Sequence, residues 1–238
     1  MLNNLCRVLL ISLALISHGL LAQLPAVEIS QLADNVYMHR SFKDFGRYGV
    51  INANGLILID EQSAFLIDTP WDSAQTQQVL DWLHSQRLTL VGAFATHAHD
   101  DRAGGFALLN QMGIATYATA LTQAQLQKQH MALASNVITD DASLGFADAR
   151  VYYPGAGHSA DNQVVWLPNS HILFAGCISK DAQAKGLGSV KDADMAHWPV
   201  ALQNLLQRFG DARLVVPGHN DPGDAGVLQH TIELLTAR

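Results

Sequence analysis

Residues 88–105 read LTLVGAFATHAHDDRAGG, and the rest of the chain is understood from this stretch outward. Residues 88–96 are apolar and rich in β-formers, which predicts a buried strand. The polarity then inverts. His97, Ala98, His99, Asp100 and Asp101 put two imidazoles and carboxylates directly after the strand, followed by Arg102. Nitrogen and oxygen donors at alternate positions of an extended turn suit a borderline cation such as zinc. Gly104 and Gly105 let the backbone pack closely as a helix begins. A polar loop with incidental histidines is the plain alternative, and the density of donors weighs against it.

On either side of this stretch the pattern alternates between strand and helix. Residues 35–40, 56–60 and 64–68 read as short strands with turn signals between them, such as Asn54-Gly55. Residues 73–87 read as a helix, with Val79, Leu80, Trp82 and Leu83 at helical spacing and Asp72 as N-cap. Helices are predicted over 105–112, 120–129, 198–209 and 226–236. Strands are predicted over 151–153, 163–167, 171–175 and 214–216, with Pro168-Asn169-Ser170 as a hairpin turn. With no Pro- or Ser-rich linker and no short repeat, this implies one α/β layered domain.

Three more potential donors sit at strand exits or glycine turns. His158 follows Gly157, Cys177 follows Gly176 and His219 follows Gly218. Each has an ordinary reading: His158 as a turn hydrogen-bonder, Cys177 as a small core residue, His219 as a cap. Their joint placement, where α/β folds project functional groups, points to one site.

Composition bounds the function. The 238 residues are 49% hydrophobic and 15% charged, which excludes wholesale disorder. Fourteen Lys+Arg against 21 Asp+Glu, with no basic cluster, argue against a nucleic-acid partner. Two cysteines exclude a disulfide-rich scaffold. Residues 1–22, MLNNLCRVLLISLALISHGLLA, carry Arg7 before an apolar run broken by His18. The run is short for a membrane anchor, the alternative, and reads as a secretory signal peptide. The expectation is a mature domain over residues 23–238, located in the periplasm, with no membrane partner after cleavage. Cleavage would also remove Cys6. Cys177 would then be a lone thiol in an oxidising compartment: buried and inert, paired between molecules, or held on a metal.

HAHDDR at 97–102, GHSADN at 157–162, Gly176-Cys177 and PGHN at 217–220 together resemble the metallo-β-lactamase superfamily over nearly the whole mature chain. The resemblance implies a four-layer αββα sandwich with two Zn2+ ions at an edge between its sheets. It puts His97, His99 and His158 on one zinc and Asp101, Cys177 and His219 on the other. Arg102, Cys177 and three first-site histidines are similar to subclass B1, as is the spacing of Cys177 and Lys180. SFK at 41–43, IDTPW at 67–71 and HWP at 197–199 fall where related sequences are expected.

The implied activity is hydrolysis of the amide bond of β-lactam antibiotics (penicillins, cephalosporins, carbapenems) by a metal-bound hydroxide, conferring antibiotic resistance. Asp101 is expected to orient the hydroxide and take part in proton delivery. Lys180 is either a solvated surface lysine or the point charge that takes the substrate carboxylate. Ser189 stands where the resemblance leads one to expect Asn, so its help to the oxyanion would run through water. Phe42, Phe45 and Tyr48 are hairpin packing or a flap over the substrate. Asp68 and Arg102 orient ligands or form a structural ion pair. The alternatives are a lactone or thiolester hydrolase of the same superfamily, or a non-catalytic exported zinc-binding protein. No coiled-coil heptads are present, and a monomer is expected. His18 would leave with the signal; His39, His84, His130, His171, His197 and His230 fall outside the motifs and receive no role.

Overall fold

The computed structural model describes residues 24–237. The segment read as a signal, with Cys6, lies outside them. One sheet has seven strands in chain order: β1 (Glu28–Ala33), β2 (Val36–Asp44), β3 (Val50–Asp60), β4 (Ser63–Ile67), β5 (Thr89–Phe94), β6 (Ala115–Thr119) and β7 (Asn136–Ile138). Neighbours β1 to β4 run antiparallel, and β4 to β7 run parallel. The second sheet has four strands, β8 (Arg150–Tyr152), β9 (Val164–Leu167), β10 (Ile172–Gly176) and β11 (Leu214–Pro217), in the order β11-β10-β9-β8. The helices are α1 (Ser73–Ser85), α2 (Asp100–Ala103), α3 (Phe106–Gln111), α4 (Ala120–Lys128), α5 (Trp198–Phe209) and α6 (Gly226–Thr236).

Strand alternation builds the layers. In β3 and β4, Leu56, Leu58, Phe65 and Ile67 face the second sheet, where they meet Val165, Ile172, Phe174 and Val216. Their neighbours Ile57 and Leu66 point the other way, onto Val79 and Leu83 of α1 and Phe106 and Leu109 of α3. The outer face of the second sheet, with Leu173 and Val215, packs on Trp198, Leu202 and Leu205 of α5 and Leu228 of α6. The result is helix, sheet, sheet, helix: the four-layer sandwich. All five residues of β10 are buried, which explains its unbroken apolar run. The Asp72 side chain caps α1 by accepting from the Gln75 amide at 2.8 Å.

The structure departs from the sequence expectation in a few places. Asn54-Gly55 is not a turn but the middle of β3. The Asn54 side chain spans to the Pro217 and Asn220 carbonyls at 3.0 and 2.8 Å, and His39 packs against Gly55. The predicted helix over 105–112 is preceded by the short α2, with Gly104-Gly105 between α2 and α3. These glycines permit close approach. A Cβ on Gly104 would lie 2.2 Å from the Trp71 carbonyl oxygen, and one on Gly105 2.4 Å from Thr76 Oγ1. Strands β1, β6 and β7 were not expected.

Candidate metal centre

The donors sit beyond the ends of strands from both sheets. His97, His99 and Asp101 follow β5, the last of these in α2. His158 lies in the connection from β8 to β9, Cys177 directly follows β10, and His219 follows β11. Chain separation is large, but the fold brings all six sequence-predicted donors together. His99 Nδ1 is 3.1 Å from His97 Nε2 and 3.3 Å from His158 Nε2. Cys177 Sγ is 3.3 Å from His219 Nε2 and 3.7 Å from Asp101 Oδ2, and His219 Nε2 is 3.4 Å from Asp101 Oδ2. His97, His158 and Cys177 also have donor atoms within 4.8 Å of one another, so the two groups abut.

These spacings fit zinc. Tetrahedral geometry at ordinary zinc–nitrogen lengths puts two nitrogens about 3.3 Å apart, and sulfur about 3.5 Å from nitrogen. Outer contacts aim the lone pairs inward. His219 Nδ1 donates to the Asn52 carbonyl, which leaves Nε2 bare toward the sulfur. His99 Nε2 faces Asp192 Oδ2 at 3.2 Å, leaving Nδ1 toward His97 and His158. Sequence reasoning missed Asp192 because it lies 93 residues from His99 with no local motif.

Arg102 underlies the second group, fully buried. One terminal nitrogen donates to Asp101 Oδ2 at 2.6 Å, Cys177 Sγ at 3.1 Å and the Gly218 carbonyl at 2.8 Å. The other donates to Asp68 Oδ2 at 3.1 Å and the Asn54 carbonyl at 2.6 Å. Burial pushes the Asp101 carboxyl up, but Arg102, His219 and His99 overcome it and hold the group well below the usual carboxylate range. Burial pushes the Cys177 thiol up to about 12 against the pull of Arg102. His97 and His158 are held well below the ordinary histidine value, first by burial and then by neighbouring positive charge.

A cavity of 990 Å³ is lined by His99, Asp101, His158, Cys177 and His219, with His97 behind them. Lys180 lines it, and no carboxylate of the described residues forms an ion pair with its ammonium. The Nζ lies 5.6 Å from the Trp198 ring centre. Burial lowers its pKa, opposed by Cys177 and Asp101. Phe45, Tyr48 and Ser189 line the cavity. Phe45 and Tyr48 are exposed, at 40% and 69%. Phe42 is half-buried in β2 and is not among the lining residues. Trp71 lines the cavity as well. Its ring meets Phe45 edge-on at 5.5 Å, and Lys43 lies 5.2 Å from its centre.

The family model for the metallo-beta-lactamase superfamily matches residues 48–219. The chain is 37% identical over 213 residues to a metallo-beta-lactamase type 2 of Pseudomonas aeruginosa, covering 89% of this chain and 85% of the relative. The solved structure of VMB-1 at pH 5.5 superimposes with a TM-score of 0.86 at 42% identity, covering 89% of this chain and 97% of that one. The mono-zinc form of the metallo-beta-lactamase FIM-1 from Pseudomonas aeruginosa gives 0.85 at 33% identity, covering 90% and 96%.

Proposed function

The chain belongs to the metallo-beta-lactamase superfamily, and on that premise we propose that it is a zinc-dependent β-lactamase, which hydrolyses the cyclic amide of β-lactam antibiotics and so confers resistance to them. One observation supports this reading above the others: six donors in two abutting sets at zinc spacing, five of them lining a cavity that also holds an ammonium with no carboxylate partner among the described residues. We read the site as taking two ions, one on His97, His99 and His158 and the other on Asp101, Cys177 and His219. When bound, zinc supplies Lewis acidity and makes water nucleophilic at neutral pH.

The chain's own residues do the rest. Lys180 binds the substrate carboxylate and so orients the ring. Asp101, held ionised by Arg102, accepts a hydrogen bond from the attacking water and takes part in passing its proton to the leaving nitrogen. Phe45 and Tyr48 cover the substrate through apolar contact and exclude water, with Phe42 supporting the strand behind them. Ser189 reaches the oxyanion only through a water. Residues 23–238 are read as one domain that acts as a monomer in the periplasm after loss of residues 1–22.

The test is loss of carbapenem ultraviolet absorbance with purified protein, with and without chelator, alongside metal counting. Chelator-sensitive turnover supports the reading. A metal-loaded protein that leaves β-lactams intact and opens lactones or thiolesters would replace it with the neighbouring hydrolase reading.

A further inference from the structure

His39, a histidine outside every motif, stands at the start of a run of buried contacts that ends on two of the proposed zinc ligands. Its ring is 1% exposed in β2. Nε2 lies 3.0 Å from the Asp68 main-chain oxygen, and Nδ1 is buried with no partner among the described residues. A carbonyl only accepts, so Nε2 carries the proton, and burial, which lowers the pKa to about 4, leaves Nδ1 unprotonated and the ring neutral. A buried acceptor left unpaired is a cost that an apolar side chain of similar size would not carry. What the imidazole contributes is therefore the donated bond.

Asp68 has a use for that bond. Its backbone is left-handed, with φ 61°, which is strained for a residue other than glycine. From this conformation its carboxylate takes the Thr96 amide at 2.7 Å, the Thr96 hydroxyl at 2.9 Å and Arg102 at 3.1 Å. Arg102 in turn holds Asp101, Cys177 and the carbonyl of Gly218, the residue before His219. Gly55 is paired with His39 across β2 and β3 and leaves room for the ring. A Cβ there would lie 2.3 Å from His39 Nε2 and 2.7 Å from the Ile67 carbonyl oxygen.

We propose that His39 is a positioning residue for the Asp101–Cys177–His219 site. By donating to the Asp68 carbonyl it holds Asp68 in the left-handed conformation from which Asp68 orients Arg102, and through Arg102 it fixes the carboxylate and the sulfur. The Arg102 guanidinium bonds none of the first-site histidines; that site is reached through Thr96 Oγ1, 3.3 Å from His97 Nδ1, and through the Arg102 main-chain amide, which donates to the His99 carbonyl at 3.0 Å. The inference rests on the two-metal reading above.

The experiment is a cobalt(II) titration of metal-stripped wild type, His39→Leu, His39→Gln and Gly55→Ala, with thermal unfolding of each metal-free protein beside it. Cysteine-to-cobalt charge-transfer absorbance reports the second site, and visible ligand-field bands report the first. The expected result is a loss of about tenfold or more in second-site affinity in His39→Leu, a loss of less than about threefold at the first, and recovery in His39→Gln, whose amide reaches the same carbonyl. Gly55→Ala displaces the ring without removing it and should show the same selective loss, so it decides the matter if His39→Leu does not fold. Unchanged second-site affinity in the folded variants, equal loss at both sites, or no recovery in His39→Gln overturns the role of His39 alone. A wild type that gives no sulfur charge-transfer band overturns the two-metal reading and this inference with it.

Discussion

The guanidinium of Arg102 and the thiol of Cys177 face each other across 3.1 Å, both buried. A permanent cation beneath a site for divalent cations looks adverse until its partners are counted. Asp101 and Asp68 share the same guanidinium, and the sulfur joins them. Arg102 keeps the Asp101 carboxylate ionised before any metal arrives. It does not achieve this for the sulfur, because burial dominates and pushes the thiol up to about 12.

Metal uptake at the second site should therefore release a proton. Near pH 7 the metal-free protein holds Cys177 as a thiol, while Asp101 is already ionised and burial keeps His219 below its ordinary value and neutral. Binding displaces the thiol proton, so second-site affinity should rise about tenfold per pH unit through the neutral range. His97 and His158, already neutral, add no proton at the first site. Titration calorimetry in buffers of different ionisation enthalpy counts the protons. A second step that releases none would mean that the sulfur is not a ligand.

Cys177→Ser should separate binding from folding. A neutral hydroxyl replaces a potential thiolate, so the second metal weakens and turnover falls by about tenfold or more, while the melting temperature of the metal-free protein shifts by only a few degrees. Metal analysis after dialysis gives the first quantity and a thermal scan the second. Two ions retained at full activity would return Cys177 to the class of small buried core residues.

The six donors were legible in the sequence because each follows an apolar strand or a glycine and carries a donor atom, which are local signals. The helices α1, α5 and α6 were legible through their spacing and, in α1, the Asp72 cap. What surrounds the donors was not. Asp192 reaches His99, and Asn52 holds His219, from 93 and 167 residues away, and no periodicity announces such contacts. Asn54-Gly55 misled for a related reason. Its dipeptide has turn chemistry, but Asn54 serves the second sheet and Gly55 makes room for His39, so tertiary packing overrides local preference. β6 was missed because its short sequence, ATYAT, mixes two alanines with its β-formers.

Lys180→Ala should act on binding more than on chemistry. The ammonium lines the cavity with no carboxylate partner among the described residues, which suits it to meet the carboxylate that nearly all β-lactam antibiotics carry. Removing it should raise KM by about tenfold, with a smaller fall in kcat, if the contact is made equally in ground and transition states. Steady-state kinetics on two carboxylate-bearing β-lactams gives both numbers. An unchanged KM would leave Lys180 as an ordinary lysine beside Trp198.

Acid should destabilise the metal-free protein, and His39 should carry a measurable share. Burial lowers its pKa from 6.5 to about 4. A histidine with a depressed folded value contributes stability that is fully present above about pH 6.5 and is lost as the pH falls through that value toward 4. By pH 5 the loss from this one ring is about 2 kcal/mol. His97, His158 and His219 add losses of the same sign. Asp68 opposes them: burial raises it from 3.8 to about 7, so its share is greatest at low pH and fades as the pH climbs. Four rings against one carboxyl leave a net fall in stability from pH 7 to pH 5. Urea midpoints of metal-free wild type and His39→Gln at pH 7, 6 and 5 test this. The wild type should lose about 2 kcal/mol more than the variant over that interval, whereas parallel profiles would show that His39 takes up its proton in the folded protein as readily as in the unfolded chain.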